Sequence, residues 1–149
     1  VILHLIGIFH TQHTAAYSHC AFTGKALRFP KMMQGQGYTV IEYSNAGSES
    51  SANEHVTMLD AAEFAALFQR SETDFHGNDA TVGSEAHQLF EQRLIPALRE
   101  RLQPEDIICH PFGHAHQQLM AEFPNHQHVE TGIGYPTLMP NSFRIFESY

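Results

Sequence analysis

Val1-Ile2-Leu3-His4-Leu5-Ile6-Gly7-Ile8-Phe9 is the stretch on which the fold turns. Apart from His4 and Gly7 it is aliphatic or aromatic throughout, without the alternation of a half-solvated strand. A strand of this kind is buried on both faces, as in the middle of a parallel sheet covered by helices.

After this run, the polar loop His10 to Ser18 leads to a helix capped by Thr23 and running through Met33, with Ala26, Leu27, Phe29, Met32 and Met33 on its apolar side. Pro30 removes a backbone donor from that helix and predicts either a kink or a late start near Phe29. Gly35 and Gly37 stop it, and Tyr38 to Tyr43 has the β-branched and aromatic content of a second strand. After the small-residue loop Ser44 to Asn53, His55 to Leu59 reads as a short third strand, and Asp60 caps a helix carrying Phe64 and Leu67. Residues 70 to 82 are polar and read as a loop over the ligand crevice. Ser84 caps an amphipathic helix to about Leu102, in which Pro96 predicts a kink. A turn at Gln103 to Asp106 enters the strand Ile107 to His110. A helix from about His114 to Phe123 and a fifth strand, His126 to Glu130, complete the pattern.

Strands alternating with helices define the class: α/β, a Rossmann-like open parallel sheet of about five strands in a three-layer α/β/α sandwich, with strand order 3-2-1-4-5. The chain has 149 residues, enough for one domain. Phe143 to Tyr149 reads as the opening of a further structural unit.

With 8 basic and 16 acidic residues the formal charge is -8, which argues against a nucleic-acid or anionic-membrane surface. No run approaches the roughly 18 apolar residues of a membrane span. The apolar start lacks a basic leader and a small-residue cleavage site, so it reads as a strand and not as a signal peptide. Cys20 and Cys109 fall in different layers without metal-type spacing, which favours a reducing, cytoplasmic setting. Twelve histidines are the compositional anomaly.

Three of those histidines, His110, His114 and His116, lie in Ile107-Ile-Cys-His-Pro-Phe-Gly-His-Ala-His116, where the fourth strand ends at a proline turn. His10 and His13, with Thr11 and Thr14, follow strand one. In the order 3-2-1-4-5, strands one and four are neighbours, so both exits open on the crevice at the switch point. On a continuous helix His110 and His114 would share a face, as zinc ligands do in HExxH proteins. Pro111 and Gly113 argue against that helix, and the glutamate of the motif is missing. Zinc would then need His10, His13 or Glu130 as further ligands; no metal is expected. Strand one is not followed by GxGxxG, and the chain has no P-loop and no GxSxG elbow. Glu130, at the end of strand five, is placed to accept ligand hydroxyls.

Tyr17-Ser-His-Cys-Ala-Phe-Thr-Gly-Lys25, Phe29-Pro-Lys-Met-Met33, Ile108-Cys-His-Pro-Phe-Gly-His114, Glu130-Thr-Gly-Ile-Gly-Tyr-Pro136 and Arg144-Ile-Phe-Glu-Ser-Tyr149 together resemble the amino-terminal half of GT-B-type glycosyltransferases, the group-4-like ones in particular. The resemblance implies an acceptor-side domain that faces a second, donor-binding domain. That carboxyl-terminal domain has no counterpart in these residues. It implies a nucleotide-sugar as donor substrate, no separate cofactor and an acceptor hydroxyl. His110 or His114 would be the catalytic contact at the strand-four exit. His10, Thr11, His13, Thr14, His116 and Glu130 would bind substrate. The partner is then a carboxyl-terminal domain or a second copy of the chain, and little transferase activity is expected of the half alone. Two other classes compete: a metal-dependent hydrolase built on the histidines, and a binding or assembly module without catalysis.

Overall fold

The computed structural model describes residues 1–15, 21–67, 83–111 and 118–130, with the backbone alone at 21, 22 and 130. Among them are five strands, β1 (Ile2–Ile6), β2 (Thr39–Ser44), β3 (Glu54–Thr57), β4 (Ile107–His110) and β5 (Gln127–Glu130). Four helices accompany them: α1 (Ala21–Gln34), α2 (Ala61–Leu67), α3 (Glu85–Arg101) and α4 (Gln118–Glu122). The strands form one sheet in the order β3-β2-β1-β4-β5, and every pairing is parallel. The expected architecture and strand order are therefore those observed. No helix among the described residues is long and apolar enough to cross a membrane.

Strand pleating divides the side chains between two cores. Leu3, Leu5, Val40 and Cys109 pack with Phe29, Met32 and Met33 of α1 on one face. Ile6, Ile41, Tyr43 and Ile108 pack on the other with Phe64 of α2, Phe90, Leu94 and Leu98 of α3, and Leu119 of α4. Fully burying a side chain of this size contributes roughly 1.5–3 kcal/mol. β1 contributes to both cores, which is why its sequence is apolar on both faces apart from His4.

The apolar run outlasts the strand it forms. Gly7 donates to the Tyr43 carbonyl at 2.6 Å, and a Cβ at Gly7 would lie 2.3 Å from that oxygen. Beyond this contact the chain leaves the ladder, although Ile8 and Phe9 remain fully buried.

α1 starts at Ala21, ahead of Thr23, and continues through Pro30 without a late start at Phe29. It ends where Tyr38 donates to the Met33 carbonyl (3.0 Å) and Gly37 to that of Gln34 (3.0 Å). Gly37 has φ +89°, the left-handed conformation such a cap requires. α2 begins with a reciprocal pair, in which Glu63 N donates to Asp60 Oδ1 (2.8 Å) and Asp60 N to Glu63 Oε1 (3.0 Å). Ser84 caps α3 by accepting from His87 N at 3.3 Å. β3 begins one residue before the expected span and ends two residues short of it, and β5 begins at Gln127. The loop expected over residues 70 to 82 lies outside the described residues, as does the segment from Thr131 to Tyr149.

At the amino-terminal edge of the sheet, Asp106 ties β1 to the turn before β4. Its carboxylate accepts from Ile2 N (3.0 Å), Gln103 N (3.0 Å) and His4 Nε2 (2.8 Å). The other nitrogen of His4 lies 2.7 Å from the Tyr43 hydroxyl. Because Nε2 gives its hydrogen to the carboxylate, Nδ1 accepts from the Tyr43 O–H. Burial outweighs the nearby Asp106 charge and lowers the pKa of His4. Burial alone would raise that of Asp106, but the His4, Ile2 and Gln103 hydrogen bonds hold it below the ordinary value.

Candidate functional site

Parallel pairing gathers the carboxyl ends of all five strands on one edge, and the chain's direction of strand addition reverses between β1 and β4 there. The segment after β1 is held in place by its neighbours. Asn45, just past β2, donates through Nδ2 to the carbonyls of Phe9 (2.9 Å) and Thr11 (3.1 Å) and accepts from Leu59 N (3.2 Å). Gln12 Nε2 donates to the Ala46 carbonyl at 2.8 Å. His13 N donates to Ser48 Oγ (3.0 Å) and Glu49 N to the His13 carbonyl (2.8 Å). Gly47, beside Gln12, has φ +85°, the left-handed conformation that favours glycine.

Of the residues expected to meet substrate here, Thr11 and His13 are buried completely and His10 nearly so. Thr11 Oγ1 lies 3.1 Å from Thr23 Oγ1 in the first turn of α1. His10 packs edge-on against Phe9, with ring centroids 4.9 Å apart. Phe9 in turn meets His87 of α3 at 5.0 Å. Thr14 is half-buried and donates to the Gln12 carbonyl at 2.9 Å.

His13 leads to a cluster absent from the sequence-based reading. Its Nε2 accepts from Ile8 N at 3.3 Å, so in the neutral ring Nδ1 carries the hydrogen, and Nδ1 lies 3.3 Å from Glu42 Oε2. Glu42 is buried at 1% exposure. Its Oε2 also accepts from Ser44 Oγ at 2.8 Å, and His55 Nε2 stands 2.7 Å from Ser44 Oγ and 4.0 Å from the same carboxylate oxygen. Burial pushes the Glu42 pKa up, but the electrostatic pull of the adjacent His13 ring, the Ser44 hydrogen bond and His55 together outweigh it and hold the carboxyl below its ordinary value. Burial lowers the pKa of His55.

Serine, histidine and glutamate in contact raise the question of a nucleophile. The Ser44 hydroxyl hydrogen points to the carboxylate, and carboxylate and hydroxyl meet the same nitrogen of His55. A triad instead passes the serine proton to one imidazole nitrogen and orients the ring through the other. Ser44 is also completely buried. The cluster is an anchored carboxylate that braces the β1 and β2 exits.

On the opposite face of the sheet, His110 ends β4 at 1% exposure. Its Nε2 lies 3.0 Å from Nδ1 of His128 on β5. His13 and His110 thus project to different faces, although β1 and β4 are adjacent. Glu130 is opposite His110 in the ladder; its side chain lies outside the described residues, as do His114 and His116. Among the described residues no group of three or more His, Cys, Asp or Glu side chains stands as a metal cage. Cys109 is buried without a disulfide, and burial raises its thiol pKa, which suits a core residue and not a nucleophile.

Sequence signals for the missed residues existed. Glu42 interrupts Thr39-Val-Ile-Glu-Tyr43 as His4 interrupts β1, each a titratable side chain inside a strand buried on both faces. Such groups persist only when paired. His128 has the same strand phase as Glu130, which places it on one face with His110 once β4 and β5 are aligned. Comparison with protein-family models, curated proteins and solved structures finds no match to this chain.

Proposed function

We propose that this chain is the acceptor-side half of a GT-B-type glycosyltransferase that transfers a sugar from a nucleotide-sugar to an acceptor hydroxyl once a donor-binding domain completes the cleft. The observation that carries this reading is the 3-2-1-4-5 order, which sets the exits of β1 and β4 side by side at the switch point. The β4 exit carries one of the segments that resemble such transferases, Ile108 to His114.

In this reading His110 or His114 orients the reacting hydroxyl, and the braced β1 loop forms the adjoining wall through His10 and Thr14; Thr11 and His13, both fully buried, hold that loop in shape. His116 and Glu130 bind substrate beside them. Chemistry of this kind gains most of its acceleration from placement and from charge stabilisation, and a rigid, pre-formed wall serves both. The bonds from Asn45, Gln12, Ser48 and Glu49 supply that rigidity before any ligand arrives.

The test is transfer from a panel of nucleotide-sugars in the protein translated onward past Tyr149, with wild type compared against His110→Ala/His114→Ala. Turnover in the wild type that falls at least tenfold in the double variant is expected. Undiminished turnover in the variant removes the role of these histidines, and absence of donor binding in the completed protein favours a binding module. Stoichiometric zinc by elemental analysis, with activity abolished by chelation, would favour the metal-dependent hydrolase.

A further inference from the structure

The Glu42 cluster reaches the surface at one residue. His55 lies opposite Glu42 in the register of β2 and β3, so the two side chains share a face of the sheet. Val40 has the same strand phase as Glu42 and packs with α1, which identifies that face. β3 is an edge strand, and the His55 side chain is 26% exposed where that of Glu42 is 1% exposed.

The hydrogen bonds fix where the ring carries its proton. Ser44 has one hydroxyl hydrogen and gives it to Glu42 Oε2 at 2.8 Å. The 2.7 Å contact between Ser44 Oγ and His55 Nε2 is therefore donated by the ring. In the neutral imidazole Nδ1 then carries a lone pair and no hydrogen. Nδ1 has no hydrogen-bond partner among the described residues and is not buried. Burial of the ring as a whole lowers the pKa of His55, so the lone pair is present at neutral pH. A nucleophilic nitrogen thus faces outward, with a hydroxyl and a carboxylate in series behind it.

We propose that His55 is a nucleophilic site that takes an acyl group at Nδ1 from a neutral, activated ester or anhydride, with Ser44 and Glu42 as positioning residues that receive the proton from the far side of the ring. The Nδ1 lone pair forms the bond to the carbonyl carbon. The bond from that carbon to the leaving oxygen breaks, and its electron pair departs with the oxygen. Acylation makes the ring cationic and Nε2–H acidic; Nε2 passes its hydrogen to Ser44 Oγ as Ser44 passes its own to Glu42 Oε2. A nucleophile backed by a proton acceptor in this way is an activated one.

The surroundings select the substrate class. The ionisable groups that act on His55 are Glu42 and His13, and residues 44 to 57 contain no Lys or Arg. Among the described residues no fixed cation stands there to receive a phosphate or carboxylate, which favours an uncharged electrophile. The site lies on the opposite face of the sheet from His110 and does not depend on the transferase reading.

Diethyl pyrocarbonate, a neutral acyl donor, tests this on the folded chain, with the adducts quantified residue by residue by peptide mass spectrometry. His126 is the internal standard. It too is half-buried, but its Nε2 donates to the Gln103 carbonyl at 3.0 Å, a group that takes no proton. Acylation at His55 should exceed that at His126 by about 100-fold, the lower end of what a positioned proton acceptor contributes. Glu42→Gln and Ser44→Ala should each remove that excess and leave His126 unchanged, an outcome that loss of packing alone does not produce. Long-range 15N–1H correlation spectra of the wild type at pH 8 should show His55 in the Nε2–H form. Equal rates at His55 and His126, or an Nδ1–H tautomer, overturn the proposal, and both are read from the wild type whether or not a variant folds. An undiminished rate at His55 in folded Glu42→Gln overturns the proton path.

Discussion

Replacing Tyr43 by Phe removes one hydroxyl from the interior, and the consequence follows from what it held. That hydroxyl is 2.7 Å from His4 Nδ1, and both side chains are fully buried. Without it the Nδ1 acceptor loses its donor where no water replaces it, at a cost of about 1–3 kcal/mol. His4→Leu costs more, about 3–5 kcal/mol, because it strips the Tyr43 hydroxyl of its acceptor and the Asp106 carboxylate of one donor. In the double variant the Tyr43–His4 contact is absent from both sides and neither partner of it is orphaned. The combined loss should therefore fall short of the sum by about 1–3 kcal/mol. Urea unfolding followed by circular dichroism measures all four proteins. Losses of this size are a substantial part of the roughly 5–15 kcal/mol typical of a domain. Additivity within about 0.5 kcal/mol would refute the coupling, since independent sites add to that tolerance.

Stability should fall as pH drops below 6.5. Burial lowers the folded-state pKa of His4 and His55 below that value, so their contribution is complete above it and is lost as pH falls through the folded values. Glu42 and Asp106, held below their ordinary values of 4.5 and 3.8, extend the loss into the acid range. An unchanged urea midpoint from pH 7.5 to pH 5 would contradict the histidine contribution. Glu42→Gln should cost about 1.5–3 kcal/mol, the range for hydrogen bonds to a charged group. It should also speed amide exchange at Ile8, whose N–H is held by His13; unaltered exchange there would sever the link between the carboxylate and the β1 loop. Gly7→Ala should destabilise at the upper end of about 1–3 kcal/mol, because the added methyl meets the backbone of β2 and not a movable side chain. A thermal midpoint within a degree of wild type would show that β1 and β2 separate at little cost.

Much of the fold is legible without coordinates. Parallel strands are joined by right-handed crossover helices, so alternating strand and helix signals leave few topologies, and the burial of β1 on both faces places it in the centre. Stop signals act locally in the same way. Gly37 ends α1 because its left-handed backbone closes the last turn, and Asp60 starts α2 because its side chain satisfies an exposed N–H. Pro30 reads less simply. Its missing donor removes one hydrogen bond, and the packing of Phe29, Met32 and Met33 against the sheet sustains the helix past it.

The candidate site divides along the same line. Sequence by itself places the exits of β1 and β4 together, since strand order follows from the alternation of elements and the histidines are numbered along the chain. Which histidine bonds which partner is a matter of strand register and of sheet face, neither of which local residues encode. Register sets His128 beside His110. The sheet separates His110 from His13, and the fold of the β1 loop brings His13 to a carboxylate from another strand. Side chains distant in sequence meet only when the tertiary structure brings their strands alongside, and here that meeting decides the partner of His110 and the charge of Glu42.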